Sequence, residues 1–143
     1  MYRHRSNISG DTSELTVQLD ISRRGWIVSL PISRDAVYDL LVDLGDKIVK
    51  VQVKTMCGNS ISKVVDRSNE IVCRNGKERN SLDYAEHNID WLVGVDLSGN
   101  CYYYSLEKYK SIPSKSFSIN KYPPDVFPIN PENSKIISNR SQS

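Results

Sequence analysis

The sequence predicts a single α/β domain, and three observations point there. The chain has 143 residues, enough for one buried core and few for several. Apolar residues make up 38% and charged residues 25%, close enough to globular averages to exclude a fully disordered chain or a coiled coil. A capped helical segment is followed by apolar runs of strand length, one of which alternates with period two.

The chain opens with a basic arm, Tyr2-Arg3-His4-Arg5. Asp11 is a capping residue and Glu14 falls three residues later, so a helix is expected to begin at Asp11. Leu15, Leu19 and Ser22 line one side of it, Arg23 and Arg24 suit the dipole in the last turn, and Gly25 ends it. Trp26–Leu30, closed by Pro31, and Val37–Asp43 read as strands. Leu44-Gly45-Asp46-Lys47 then centres a tight hairpin on Gly and Asp and leads into the alternating run Ile48–Lys54. With Leu44 opposite Lys47, the same register carried back along both strands puts Asp39 opposite Gln52, with Lys54 as its diagonal neighbour. Val49, Val51 and Val53 point the other way, toward the helix, which leaves the Asp39 face as a wet one.

Farther along, Ser60–Val65 and Glu70–Arg74 read as a second strand pair, with a turn at Asn75-Gly76-Lys77. Leu82–Asn88 fits a short helix, and Ile89–Asp96 and Cys101–Ser105 fit strands around Ser98-Gly99-Asn100. The domain is expected to close near Lys110. Residues 111–143 hold five of the six prolines and read as an extended arm or tail.

Several chemistries lose ground on composition. Cys57, Cys73 and Cys101 are odd in number and have no paired spacing, which suits a reduced compartment. His4 and His87 are the only histidines, too few for most zinc sites or a serine-type triad. No stretch approaches the roughly 18 apolar residues of a membrane span, and the polar N-terminus has no signal-peptide core, so a cytoplasmic protein without a membrane partner is expected. Net charge is +2, so any positive surface for nucleic acid must be local.

Glu14 on the opening helix, Asp39 after Pro31, the triplet Gln52-Val53-Lys54, the Ile89-Asp90-Trp91 segment and Tyr102-Tyr103-Tyr104 share an order and spacing. That pattern resembles the PD-(D/E)XK nucleases, and within them the homing endonucleases encoded in bacterial group I introns. The resemblance implies a restriction-endonuclease-like core, a mixed β-sheet flanked by helices. It also implies a site-specific endonuclease of double-stranded DNA, dependent on Mg²⁺ with Mn²⁺ as a substitute, and a homo-oligomer, dimer or tetramer, because one protomer carries one site. Gln52 stands where most of the superfamily has an acid, and looks like the Gln-containing variant of the intron-encoded branch.

The resemblance implies the following roles. Asp39 is the hard oxygen ligand, Gln52 offers its amide carbonyl and Val53 its backbone carbonyl to the same ion. Lys54 orients the attacking water and stabilises phosphorane charge. Glu14 binds a second ion, holds a water or keeps the geometry. Plainer readings stand beside these: the capping box accounts for Glu14 without a metal, and a glutamine at 52 fits a cross-strand pair. Arg3, His4 and Arg5, and Lys108, Lys110, Lys115 and Lys121, are candidate phosphate contacts, against the reading of each group as a solvated terminus. Tyr102 to Tyr104 could stack on bases, although a strand usually divides three tyrosines between core and surface. Two rival functions remain: a Holliday-junction resolvase-like, structure-selective nuclease, and a noncatalytic DNA-binding module that has lost turnover.

Overall fold

A computed structural model describes residues 5–33, 35–66, 81–83 and 88–125. Helix α1 runs from Arg5 to Arg23. It starts upstream of Asp11, so Asp11 and Glu14 lie inside the helix and the expected capping box does not form. Thr12 and Thr16 donate their hydroxyls back to Ile8 O and Thr12 O, both at 2.7 Å, which lets hydroxyl residues sit within the helix without competing for its ladder. The buried stripe is Ser13, Val17 and Ile21, while Leu15 and Leu19, expected to line one side of the helix with Ser22, are 63% and 51% exposed. Two stripes of similar spacing compete on this helix. The sheet takes the one whose small Ser13 allows close approach, with Ser13 Oγ 2.8 Å from Thr55 Oγ1. Gly25, at φ 94°, turns the chain out of the helix, where a side chain would be strained.

The strands that follow are β1 (Ile27–Ser29), β2 (Leu40–Asp43), β3 (Ile48–Thr55), β4 (Ser60–Ser62), β5 (Val64–Asp66), β6 (Ser81–Asp83), β7 (Trp91–Val95), β8 (Cys101–Ser105) and β9 (Ser116–Ser118), with a short helix α2 (Leu106–Ser111) before β9. Five of them form a mixed sheet in the order β1-β2-β3-β7-β8, parallel only between β3 and β7. The β2–β3 hairpin has the register read from its turn: Leu40 pairs with Val51 and Asp43 with Ile48. Gly45 takes φ 90° at the first central position, and Leu44 N donates to Lys47 O at 2.8 Å.

On one face, α1 covers a core of Val17, Ile21, Leu40, Val42, Val49, Val51, Val53, Val93 and Tyr103. The opposite face is covered too. Leu92 and Tyr104 of the sheet pack there with Met56, Ile61, Ile89, Tyr109, Ile112 and Phe117, so the face expected to be wet is dry over its central strands. Buried Lys63 donates from Nζ to Tyr109 O at 3.1 Å and to Ile112 O, satisfying carbonyls at the end of α2.

This second layer departs from the sequence reading. Ser60–Val65 splits at Lys63 into β4, which pairs with β9, and β5, which pairs with β6. Glu70–Arg74 and the turn at 75–77 lie outside the described residues. Leu82 and Asp83, expected to open a helix, belong to strand β6; residues 84–87 are not described. Packing also continues past Lys110: Ile112 and Phe117 are buried, and Asp125 accepts from Ser105 N at 2.8 Å and Ser105 Oγ at 2.6 Å. Residues 126–143 lie outside the described part.

Candidate active site

Strand β2 begins one residue after Asp39, and the reason is local. Asp39 N donates at 2.8 Å to the carbonyl of Val51, the residue whose ladder partner is already Leu40, so Asp39 leaves the hairpin register and does not take its expected place opposite Gln52; its carboxylate turns in and accepts Val53 N at 2.8 Å. The carboxylate thus takes the place a β2 carbonyl would occupy, ending the ladder and fixing Asp39 at the seam between β2 and β3. Across the seam, Glu14 reaches down from α1 and shares a side-chain hydrogen bond with Asp39.

Two carboxyls this close do not ionise independently. Burial, then the Asp39 charge and the shared hydrogen bond, push Glu14 up from 4.5 to about 7. Asp39 is also raised, by burial, against the lowering pull of the Val53 N–H, the Glu14 hydrogen bond and the Lys54 ammonium. In the metal-free protein near neutral pH the pair therefore tends to share a proton.

Gln52 precedes Val53 on β3 and lies opposite Leu92 in the β3–β7 ladder. It is 9% exposed, and its Nε2 donates to Val53 O at 3.4 Å. Its Oε1 is buried and accepts no hydrogen bond from the described residues. An orphaned buried acceptor costs about 1–3 kcal/mol, so a cation beside it would relieve a real penalty. Among the described residues no group of three or more His, Cys, Asp or Glu side chains could hold a metal. A divalent ion here would rest on two carboxylates and the Gln52 oxygen, a hard, all-oxygen donor set that suits Mg²⁺ or Mn²⁺.

The described contacts join Glu14 to Asp39, Asp39 to Val53 N–H and, through its charge, Lys54 to Asp39, while Gln52 is tied to them through the Val53 carbonyl. Of the other basic candidates, the four lysines are not brought to them. Arg3 and His4 lie outside the described residues and Arg5 opens α1. Lys108 and Lys110 sit on α2 and Lys115 and Lys121 flank β9; none of the four lines the cleft at Glu14 and Asp39. Tyr103 and Tyr104 are fully buried on opposite faces, and the Tyr102 hydroxyl is tied to Asp96 Oδ2 at 3.0 Å, which leaves the first two unable to stack on bases. Asp90 has a structural task, accepting Lys50 N at 2.9 Å where β7 meets β3.

The sequence reading missed the rest of the cleft. About 420 Å³ in volume, it is walled by Gln18 on α1 and by Leu30, Ile32 and Tyr38 of the β1–β2 loop, with Glu14 and Asp39 at its base. Gln18 was legible in principle, four residues beyond Glu14 on one helix face.

A family model for PD-(D/E)XK endonucleases matches residues 4–122. The chain belongs to the PD-(D/E)XK endonuclease family. A five-stranded mixed sheet flanked by helices is this family's nuclease fold, and solved structures agree. A bacterial homing endonuclease superposes with TM-score 0.67 at 17% identity, over 97% of each chain. A Holliday junction resolvase of Archaeoglobus fulgidus superposes with TM-score 0.52 at 11% identity, over 80% of this chain and 87% of that one. A search of curated proteins gives no match. Among the described residues no helix is long and apolar enough to cross a membrane.

Proposed function

We propose that this chain is a site-specific endonuclease of double-stranded DNA, dependent on Mg²⁺ or Mn²⁺, and of the homing type. The observation that carries the reading is the Glu14–Asp39 carboxyl pair at the β2–β3 seam, with Lys54 close enough to act on the Asp39 charge and Gln52, next to Val53, holding a buried oxygen that accepts nothing from the described residues. Asp39, Gln52 and Glu14 would hold the ion, with the Val53 carbonyl at the same seam. The ion, when bound, supplies charge neutralisation at the phosphate and a water acidic enough to attack at neutral pH.

This chain's own groups do the rest. Asp39 is held in place by Val53 N–H and cannot swing away from the seam. Glu14 gives up the proton it shares with Asp39, leaving both carboxylates free to orient the nucleophile. Lys54 donates to a phosphate oxygen and stabilises charge that grows in the transition state. The likeness to a homing endonuclease along nearly the whole of both chains, and the Gln52 variant, support the homing type over other nucleases of the fold. Cutting two strands takes two sites, hence a homo-oligomer. Arg3, His4 and Arg5, and Lys108, Lys110, Lys115 and Lys121, would add phosphate contacts.

Lys54→Ala tests this. Nicking of plasmid-library DNA with Mg²⁺ is expected to fall at least about 100-fold, with DNA binding in Ca²⁺ changed less than about 3-fold. Retained nicking overturns the role of Lys54. The resolvase likeness supports a second reading, in which four-way junctions are cut regardless of sequence. Junction cleavage without cleavage of any linear duplex site favours it, and binding without turnover in the wild type favours the noncatalytic module.

A further inference from the structure

Gln18 stands one helical turn beyond Glu14 on α1, half-buried, and both side chains line the cleft that Asp39 closes from the sheet side. A phosphodiester brought to Asp39 meets a hostile wall. Two carboxyls repel it, the side chains of Leu30 and Ile32, 57% and 102% exposed at the rim, offer it no hydrogen bond, and the hydroxyl-bearing Ser33 and Tyr38 belong to the β1–β2 loop and not to α1. Lys54 does not line this cleft, so on the α1 side the substrate needs another donor. The Gln18 amide carries two N–H donors.

Its neutrality matters as much as its donors. A Lys or Arg at 18 would bind phosphate more strongly in isolation. It would also stand at the i,i+4 spacing at which a glutamate followed by a cation pairs best, and would draw Glu14 away from Asp39. An amide donates without competing for that carboxylate.

We infer that Gln18 binds the scissile phosphate, its side-chain amide donating to a non-bridging oxygen and holding the phosphorus in line with the nucleophile. The inference rests on the nuclease reading and adds a substrate contact that the carboxylates and Lys54 do not supply. Gln18 acts on the substrate from the helix while Lys54 acts from the strand, so the phosphate is held between the two layers.

The experiment uses the full chain and a duplex carrying the site that the wild type nicks, made with either oxygen or sulfur at the non-bridging positions of the scissile phosphate. Gln18→Ala and the shape-conserving Gln18→Met are expected to fold with unchanged melting temperature. Both should lose about 10- to 100-fold in kcat/KM, the worth of one transition-state hydrogen bond. The slowing by sulfur seen in the wild type should shrink in both variants, because the contact that sulfur weakens is already gone. Gln18→Lys is expected to raise the Mn²⁺ concentration needed for half-maximal binding, read by calorimetry without DNA. Full-speed nicking by Gln18→Ala, or an undiminished sulfur effect, overturns the phosphate contact alone. A wild type that nicks nothing overturns the nuclease reading and this contact with it.

Discussion

On one face of the sheet α1 lies over a field of valines from β2, β3 and β7; on the other, α2 and the β4–β9 ribbon pack aromatic rings and Met56 around Leu92. The first layer is assembled from residues close in sequence: the helix, the hairpin and its turn. The second joins Ser60–Ser62 to Ser116–Ser118 and closes only when the last described part of the chain returns. The candidate site lies between them. Asp39 and Glu14 belong to the valine side, while Gln52 faces the aromatic side, opposite Leu92 in the β3–β7 ladder. A site shared by two layers needs both folded before its charges meet. The difference teaches that the carboxyls can be placed by local structure, but the buried amide oxygen depends on the late-returning chain.

Leu40 and Leu92, both fully buried, probe the two faces with the same deletion. Leu40→Ala and Leu92→Ala are each expected to cost about 2–5 kcal/mol in urea unfolding. Because β3 and β7 contribute to both cores, each variant should still melt in one transition; two separated transitions would break the comparison into independent layers.

Gly94 sharpens it on the aromatic side. It pairs with Lys54 across the β3–β7 ladder, and an added Cβ would stand 2.4 Å from Ile61 Cδ1 and 3.0 Å from Met56 Cγ. Gly94→Val is expected to destabilise by about 1–3 kcal/mol through overpacking and to lower nicking beyond what stability explains, by moving Lys54.

The valine side carries the pH dependence. Glu14 is raised from 4.5 to about 7, so between those values the native state keeps a proton that the unfolded chain releases. This contribution is full below pH 4.5 and is lost as pH rises through about 7. With Glu14 only partly buried, solvent screening limits it to about 1 kcal/mol. Chemical denaturation of the metal-free wild type across that range should show the slope, and Glu14→Gln should flatten it.

The smallest effect is expected on the outer stripe of α1. Leu15→Ser and Leu19→Ser should each change stability by no more than about 0.5 kcal/mol, since both side chains are already solvated. A loss of several kcal/mol would return that stripe to a buried surface.

The hairpin was legible because Gly45 and the valine alternation leave only one register that buries Val49, Val51 and Val53 together. That register stops at Leu40 and Val51, so the pairing of Asp39 with Gln52 expected from it did not form, and it was the order of acid, amide and lysine along the chain that could be read as a nuclease motif. Helix α1 was legible as a helix but not in its orientation. Leu15 and Leu19 are the larger apolar residues, yet the sheet took Ser13, Val17 and Ile21, since periodicity finds stripes and only packing selects one.

By itself, then, the sequence determined the fold class, the β2–β3 register and the residues of the charged group, all consequences of turn chemistry and side-chain alternation over short separations. Tertiary structure decided the rest: that Glu14 is freed from capping to face Asp39, that Gln52 is buried with an acceptor the described residues leave unbonded, that Lys108 and Lys110 sit on a helix, and that Ile112 and Phe117 help seal the second face. Those outcomes depend on contacts between distant segments, whose energies no local pattern encodes.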